Sequence, residues 1–143
     1  MFKQICENLY LGDKDSRPKK TNFEIIVADE LFITNSNNKK SSYTLIDDKI
    51  YFDFYSFSVD INQVRLIVEF MFKKIKTHCI YIHCVFGVNR SPFITFVFLV
   101  KYNYLVESTY KKALAKFKQI YPFMGIGFTF LKFIKKYYPF SNL

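Results

Sequence analysis

The chain has 143 residues, half of them hydrophobic and a fifth aromatic, and carries a formal net charge of +9. That length accommodates one domain with one sizeable core, and the apolar content excludes a disordered chain. The three cysteines, Cys6, Cys79 and Cys84, form no C-x-x-C pair, and His78 and His83 are the only histidines, so neither a disulfide framework nor a zinc site finds support.

Residues 1–7 hold no apolar run of useful length. The stretch from Phe93 to Val100 is interrupted by Thr95 and too short to span a bilayer. A soluble, cytoplasmic protein without a membrane span is expected. Only Arg17, Arg65 and Arg90 are arginines, and lysines supply the remaining positive charge. Solvated helix faces account for many of them, such as Lys73, Lys74 and Lys76 or Lys132, Lys135 and Lys136. The functional alternative is a field that attracts phosphorylated protein, RNA or an anionic membrane.

In chain order, Leu9-Tyr10-Leu11 ending at Gly12-Asp13 reads as a short strand and turn, and Asp13 to Thr21, with Pro18, as a loop. Glu24 to Ala28 and Leu31 to Thr34 read as strands, separated from further strands at Tyr43–Ile46 and Lys49–Tyr55 by a polar turn region over residues 35–42. The period then changes. Asp60 is placed to cap a helix over Ile61 to Lys76, whose apolar face comprises Ile61, Val64, Ile67, Val68, Met71 and Ile75. Cys79 to Ile82 is an apolar run suited to a buried parallel strand. A helix starting at Pro92 has apolar residues on all sides and is therefore central. Amphipathic segments over Glu107–Ile120 and Gly127–Tyr138 complete a helix-covered α/β sheet.

The strand-to-helix junction at residues 83–91 carries the chemistry. A strand delivers Cys84 to the sheet edge, and a helix begins about seven residues later. Between Cys84 and Arg90 the backbone of Val85, Phe86, Gly87, Val88 and Asn89 can curl with its amides inward, beside the positive end of the helix dipole. Gly87 permits the backbone angles of such a phosphate cradle, and Arg90 closes it with a planar fork matched to two phosphoryl oxygens. This positive potential lowers the pKa of Cys84. The thiolate is then a nucleophile toward phosphorus, forming a phosphocysteine, and Ser91 is placed to hydrogen-bond the departing thiolate. The chemistry requires no cofactor and no metal.

His83-Cys84-x-x-Gly87-x-x-Arg90-Ser91 resembles the signature of the cysteine-based protein phosphatases, with His83 in a supporting role. The chain is short, its loop lacks the lysines of lipid-directed relatives, and Cys84 lies past the middle. These features resemble the dual-specificity phosphatases, and Gly87-Val88-Asn89-Arg90-Ser91 is similar to the poxvirus members. Asn8 to Gly12 resembles the opening strand of that family, and Asp60-Ile61 the start of the helix before its active-site strand. Gly127-Phe128 with Leu131 resembles its last helix. The resemblance covers roughly residues 5 to 138. It implies one catalytic domain over residues 1–143, with a mostly parallel central sheet of about five strands flanked by helices, and a monomer is expected.

The resemblance also implies an aspartate, some thirty residues before the cysteine, that protonates the leaving oxygen. Asp53 stands 31 positions before Cys84; counted from Asp60-Ile61, the acid slot falls instead on Tyr55. Three readings stay open on the sequence. The chain is a dual-specificity phosphatase acting on phosphotyrosine and phosphoserine/phosphothreonine in proteins, an RNA 5′-triphosphatase of the same fold, or a weakly active or inactive phospho-binding pseudophosphatase without an efficient acid.

Overall fold

The computed structural model describes residues 1–33 and 42–143. Its strands are β1 (Phe2–Cys6), β2 (Leu9–Gly12), β3 (Phe23–Val27), β4 (Tyr43–Ile46), β5 (Lys49–Phe52) and β6 (Ile80–His83). Its helices are α1 (Ile61–Lys74), α2 (Arg90–Lys101), α3 (Tyr110–Ile120) and α4 (Phe128–Tyr137). The strands form one six-stranded sheet in the order β1-β2-β6-β3-β5-β4. The inner four, β2, β6, β3 and β5, are mutually parallel, and β1 and β4 close the two sides as antiparallel partners of β2 and β5. The fold is thus the expected α/β arrangement, a mostly parallel sheet flanked by helices, with one strand more than expected.

The additional strand is β1. It pairs only with β2 through a two-residue turn in which Asn8 takes φ +65°, a left-handed position that asparagine tolerates. Its residues are exposed or half-buried, so burial imposes no alternation on them and no strand pattern shows in the sequence. The β4–β5 hairpin turns the same way, through Asp47 at φ +55°.

The strand expected at Leu31–Thr34 does not form over its described residues, Leu31 to Ile33. Asp29–Leu31 forms a single 3₁₀ turn after β3, closed by Phe32 N donating to Asp29 O (3.1 Å), and Phe32 and Ile33 follow outside any regular element. The β3 run already supplies a sheet strand, and the chain turns at its end to face the loop after β6. Thr34 and the turn region at 35–41 lie outside the described residues.

Helix α1 begins where Asp60 Oδ1 accepts from Asn62 N (2.9 Å). The last two helices start later than the amphipathic pattern implies, because Thr109 caps α3 and Gly127 occupies the cap position of α4. Helix α2 starts at Arg90, two residues before Pro92, and is buried from Arg90 to Val100. It packs against β2, β6 and α1. On its far side Phe93 stacks on Phe54 (centroids 6.3 Å apart, planes at 14°) and on Phe130 (4.3 Å, 9°). These rings tie the segment after β5 to α2 and α4, and all three are fully buried. Among the described residues no helix is long and apolar enough to cross a membrane.

Truncating Phe93 removes the centre of that stack. Phe93→Ala should lower stability by about 3–5 kcal/mol, read as a displaced urea midpoint with little change in slope.

Candidate active site

Four parallel strands end on the same side of the sheet, at Gly12, Val27, Phe52 and His83. In open parallel sheets this carboxyl edge is where ligands bind. Here it gathers the loop after β6, the acidic turn after β3 and the segment after β5.

The loop from Cys84 to Asn89 is shaped by where its carbonyls point. Val85 O accepts from Lys14 N (3.1 Å), Gly87 O from the buried Tyr121 hydroxyl (2.6 Å), Val88 O from Gly125 N (2.7 Å) and Asn89 O from Phe93 N (3.1 Å). The Cys84 carbonyl faces His83 Nδ1 (2.7 Å). With these oxygens tied outward, backbone amides turn toward the sulfur, and those of Gly87 and Ser91 hydrogen-bond it. Gly87 holds φ +69°, and a Cβ there would stand 2.5 Å from the Gly12 carbonyl carbon. Both its left-handed backbone and its contact with β2 therefore require glycine.

Cys84 is a free thiol, 3% exposed, and Ser91 Oγ donates to its Sγ (3.2 Å). Burial pushes the thiol up, but the Ser91 hydroxyl, the Ser91 and Gly87 amides and the Arg90 charge outweigh it, so its pKa lies below the ordinary value. Cys6 shows the opposite balance. Burial, with the charge of Glu7, pushes it up to about 11.

Arg90 is buried at the first turn of α2, and its contacts among the described residues all fall on Nη1. That nitrogen donates to Asp29 Oδ1 (2.7 Å), to Glu30 Oε1 and to the Phe54 carbonyl (3.4 Å). The two carboxylates hold the guanidinium by one corner, and its remaining donors make no hydrogen bond among the described residues. His83, also buried, places Nε2 2.9 Å from Glu24 Oε2, and Arg17 donates to the other oxygen of Glu24 (3.1 Å). The base of the loop is thereby braced from β3. Asn89 Oδ1 accepts from Gly127 N (2.6 Å), which fastens the loop to the start of α4. Phe86 is 75% exposed and Val88 partly so.

The structure therefore brings Cys84, Arg90 and Ser91 together around the cradle backbone of Val85, Phe86, Gly87, Val88 and Asn89, with His83 behind. Asp53 makes no hydrogen bond to this group among the described residues. Its carboxylate accepts from the Tyr55 hydroxyl (3.1 Å) and lines a cavity of about 440 Å³ with Ser42, Tyr55, Asp60 and Gln63, to which no residue of the 83–91 loop contributes. Its backbone carbonyl accepts from Gln63 Nε2 (2.9 Å). Strand alternation explains this, since Phe52 and Phe54 take the core side and Asp53 between them faces outward. The sequence reading missed Asp29 and Glu30, which stand some sixty residues from Arg90 and carry no motif. Their one signal is a pair of acids directly after an apolar strand. Among the described residues no group of His, Cys, Asp or Glu side chains is arranged to hold a metal ion.

No protein-family model matches the sequence, and no curated protein matches it. Solved structures do. The chain is similar to the human tyrosine phosphatase-like serine/threonine/tyrosine-interacting protein, with a TM-score of 0.73 at 16% identity over 99% of this chain and 98% of that one. It is also similar to DUSP15 (0.73, 11% identity, 99% and 88%). A leucine-rich-repeat and phosphatase-domain protein from Entamoeba histolytica matches at 0.69 and 20% identity, over 94% and 90%. The chain has the fold of the dual-specificity and tyrosine phosphatases.

The hydrogen bond from Ser91 makes a direct prediction. Inactivation by iodoacetate should follow the Cys84 thiolate, with a midpoint below that of an ordinary thiol. Ser91→Ala removes a donor to the charged form, so its midpoint should move to higher pH and inactivation at neutral pH should slow. Mass spectrometry of the alkylated protein should find Cys84 modified and Cys6 spared.

Proposed function

We propose that this protein is a cysteine-dependent phosphatase that hydrolyses phosphotyrosine and phosphoserine/phosphothreonine in proteins through a phosphocysteine intermediate. The observation that carries this reading is the Cys84 sulfur, nearly buried yet held toward its thiolate by Ser91, inward amides and Arg90. A buried thiol with no task would be pushed up, as Cys6 is. This arrangement instead raises the fraction of thiolate and surrounds it with donors for phosphoryl oxygens.

Catalysis follows in two displacements. The phosphoryl group enters the cradle with its oxygens on the amides and the Arg90 fork, which places phosphorus in line with Cys84 Sγ. Attack forms the S–P bond as the substrate oxygen leaves. Water then attacks the phosphocysteine, and Ser91 supports the departing thiolate. The fold of the solved structures and the resemblance of the 83–91 loop support this reading. The exposed Phe86 and the short elements around the loop support a rim that admits phosphoserine and phosphothreonine as well as the longer phosphotyrosine.

Cys84→Ser should reduce hydrolysis of an aryl phosphate by on the order of 10⁴-fold or more, while phosphopeptide binding persists. Arg90→Lys should lose on the order of 10²–10³-fold, because an ammonium supplies no two-pronged contact. Steady-state assays on an aryl phosphate and a panel of phosphotyrosine, phosphoserine and phosphothreonine peptides check both. A Cys84→Ser variant with a tenth of wild-type turnover, or strict phosphotyrosine selectivity, would contradict the proposal.

A further inference from the structure

A phosphopeptide leaving group needs a proton, and Asp53 does not reach the cradle loop through any described contact. We propose that Asp29, on the turn after β3, is the general acid of this site, an assignment that rests on the phosphatase reading above.

Geometry places it there. Strand β3 pairs in parallel with β6, so the turn at its end lies beside the loop at the end of β6. Asp29 N donates to the Phe54 carbonyl (3.0 Å), which Arg90 Nη1 also reaches, so the turn is pinned to the site by its own backbone. Asp29 Oδ1 stands 2.7 Å from that same Nη1. The carboxyl thus lies within one guanidinium of the phosphoryl group that Arg90 would hold. Its side chain is a third exposed whereas that of Arg90 is nearly buried, which sets Asp29 toward the mouth, where a leaving group departs and water enters.

Glu30 shares Arg90 but suits a different task. The hydrogen bond from Arg90 holds its carboxyl far down, to about 2, so it remains an ionised anchor. Asp29 is moved the other way. Burial, then the hydrogen bond and charge of Glu30, push it up against the opposing pull of Arg90. Neighbouring carboxyls whose surroundings drive them apart divide into a proton donor and a fixed charge. Among the described residues, the groups that face Asp29 are Glu30 on its own turn, Arg90 from α2 and Tyr55 from the segment after β5. Cys84 is the further charge opposite Arg90.

In the first displacement the S–P bond forms and the P–O bond to the leaving group breaks. The electron pair left on that oxygen takes the Asp29 proton. In the second, the Asp29 carboxylate takes a proton from water as its oxygen bonds phosphorus, and the S–P pair returns to Cys84 as thiolate. Asp29 ends protonated, ready for another cycle.

The test assays wild type, Asp29→Asn, Glu30→Gln and Asp53→Asn on p-nitrophenyl phosphate and on a phosphoserine peptide across pH, with vanadate inhibition reporting on Arg90. Asp29→Asn should lose ~10²–10⁴-fold on the peptide and much less on the activated aryl ester. Because the donor must be protonated, the fall in rate at high pH should vanish in that variant. Glu30→Gln, acting through Arg90, should lower both substrates by a similar factor and keep the high-pH limb. If Asp29→Asn weakens vanadate inhibition, Asp29→Glu replaces it and should retain the limb at a displaced pH. An equal loss on both substrates, no loss, an unmoved limb, or a peptide-selective loss in Asp53→Asn alone would overturn the assignment while leaving the phosphatase reading standing. A folded wild type inert toward both substrates would overturn that reading and this one together.

Discussion

A thiolate is hard to keep beneath a protein surface, because burial favours the neutral thiol. The surroundings of Cys84 reverse that preference, and much of the fold serves the reversal. The amides that reach the sulfur can do so only because the carbonyls of the same loop are bonded outward, to Lys14, Tyr121, Gly125, Phe93 and His83. Those partners come from the loop after β2, from the end of β6, from α2, and from the residues after α3. The loop therefore takes its shape from a ring of contacts around it, with Gly87 as the position where the curl requires a left-handed backbone against Gly12.

The second constraint is Arg90. A guanidinium this buried must be hydrogen-bonded and paired, since an isolated buried charge is strongly unfavourable. Asp29 and Glu30 meet that need at one nitrogen, Nη1. The parallel pairing of β3 with β6 makes this possible, because parallel strands end together and the turn after one faces the loop after the other. The same geometry sends His83 back to Glu24 on β3. One neighbouring strand thus supports the loop at its base and at its rim.

The aromatic richness of the chain has a local role at the site. Phe54 stacks on Phe93 and Phe130, and its carbonyl meets both Arg90 and the Asp29 amide. Core packing and site geometry are joined in that residue. The neighbouring Asp53 faces the other side of the chain, where it meets Tyr55.

The sequence by itself determined the α/β class, the inner strands, the capped helix α1 and the loop with Cys84, Arg90 and Ser91. Each of these is written locally, in a run of apolar residues, an N-cap or a strand-to-helix junction with glycine at the turn. Strand β1 was not legible because an exposed edge leaves no alternation. The segment at Leu31 resembled a strand because apolar residues in a turn and in a strand look alike over four positions. The partners of Arg90, and the side of the chain on which Asp53 falls, were decided only by tertiary structure. Both depend on which strand lies beside which and on the phase of alternation at a strand end, and neither quantity is encoded within a few residues of the groups it positions.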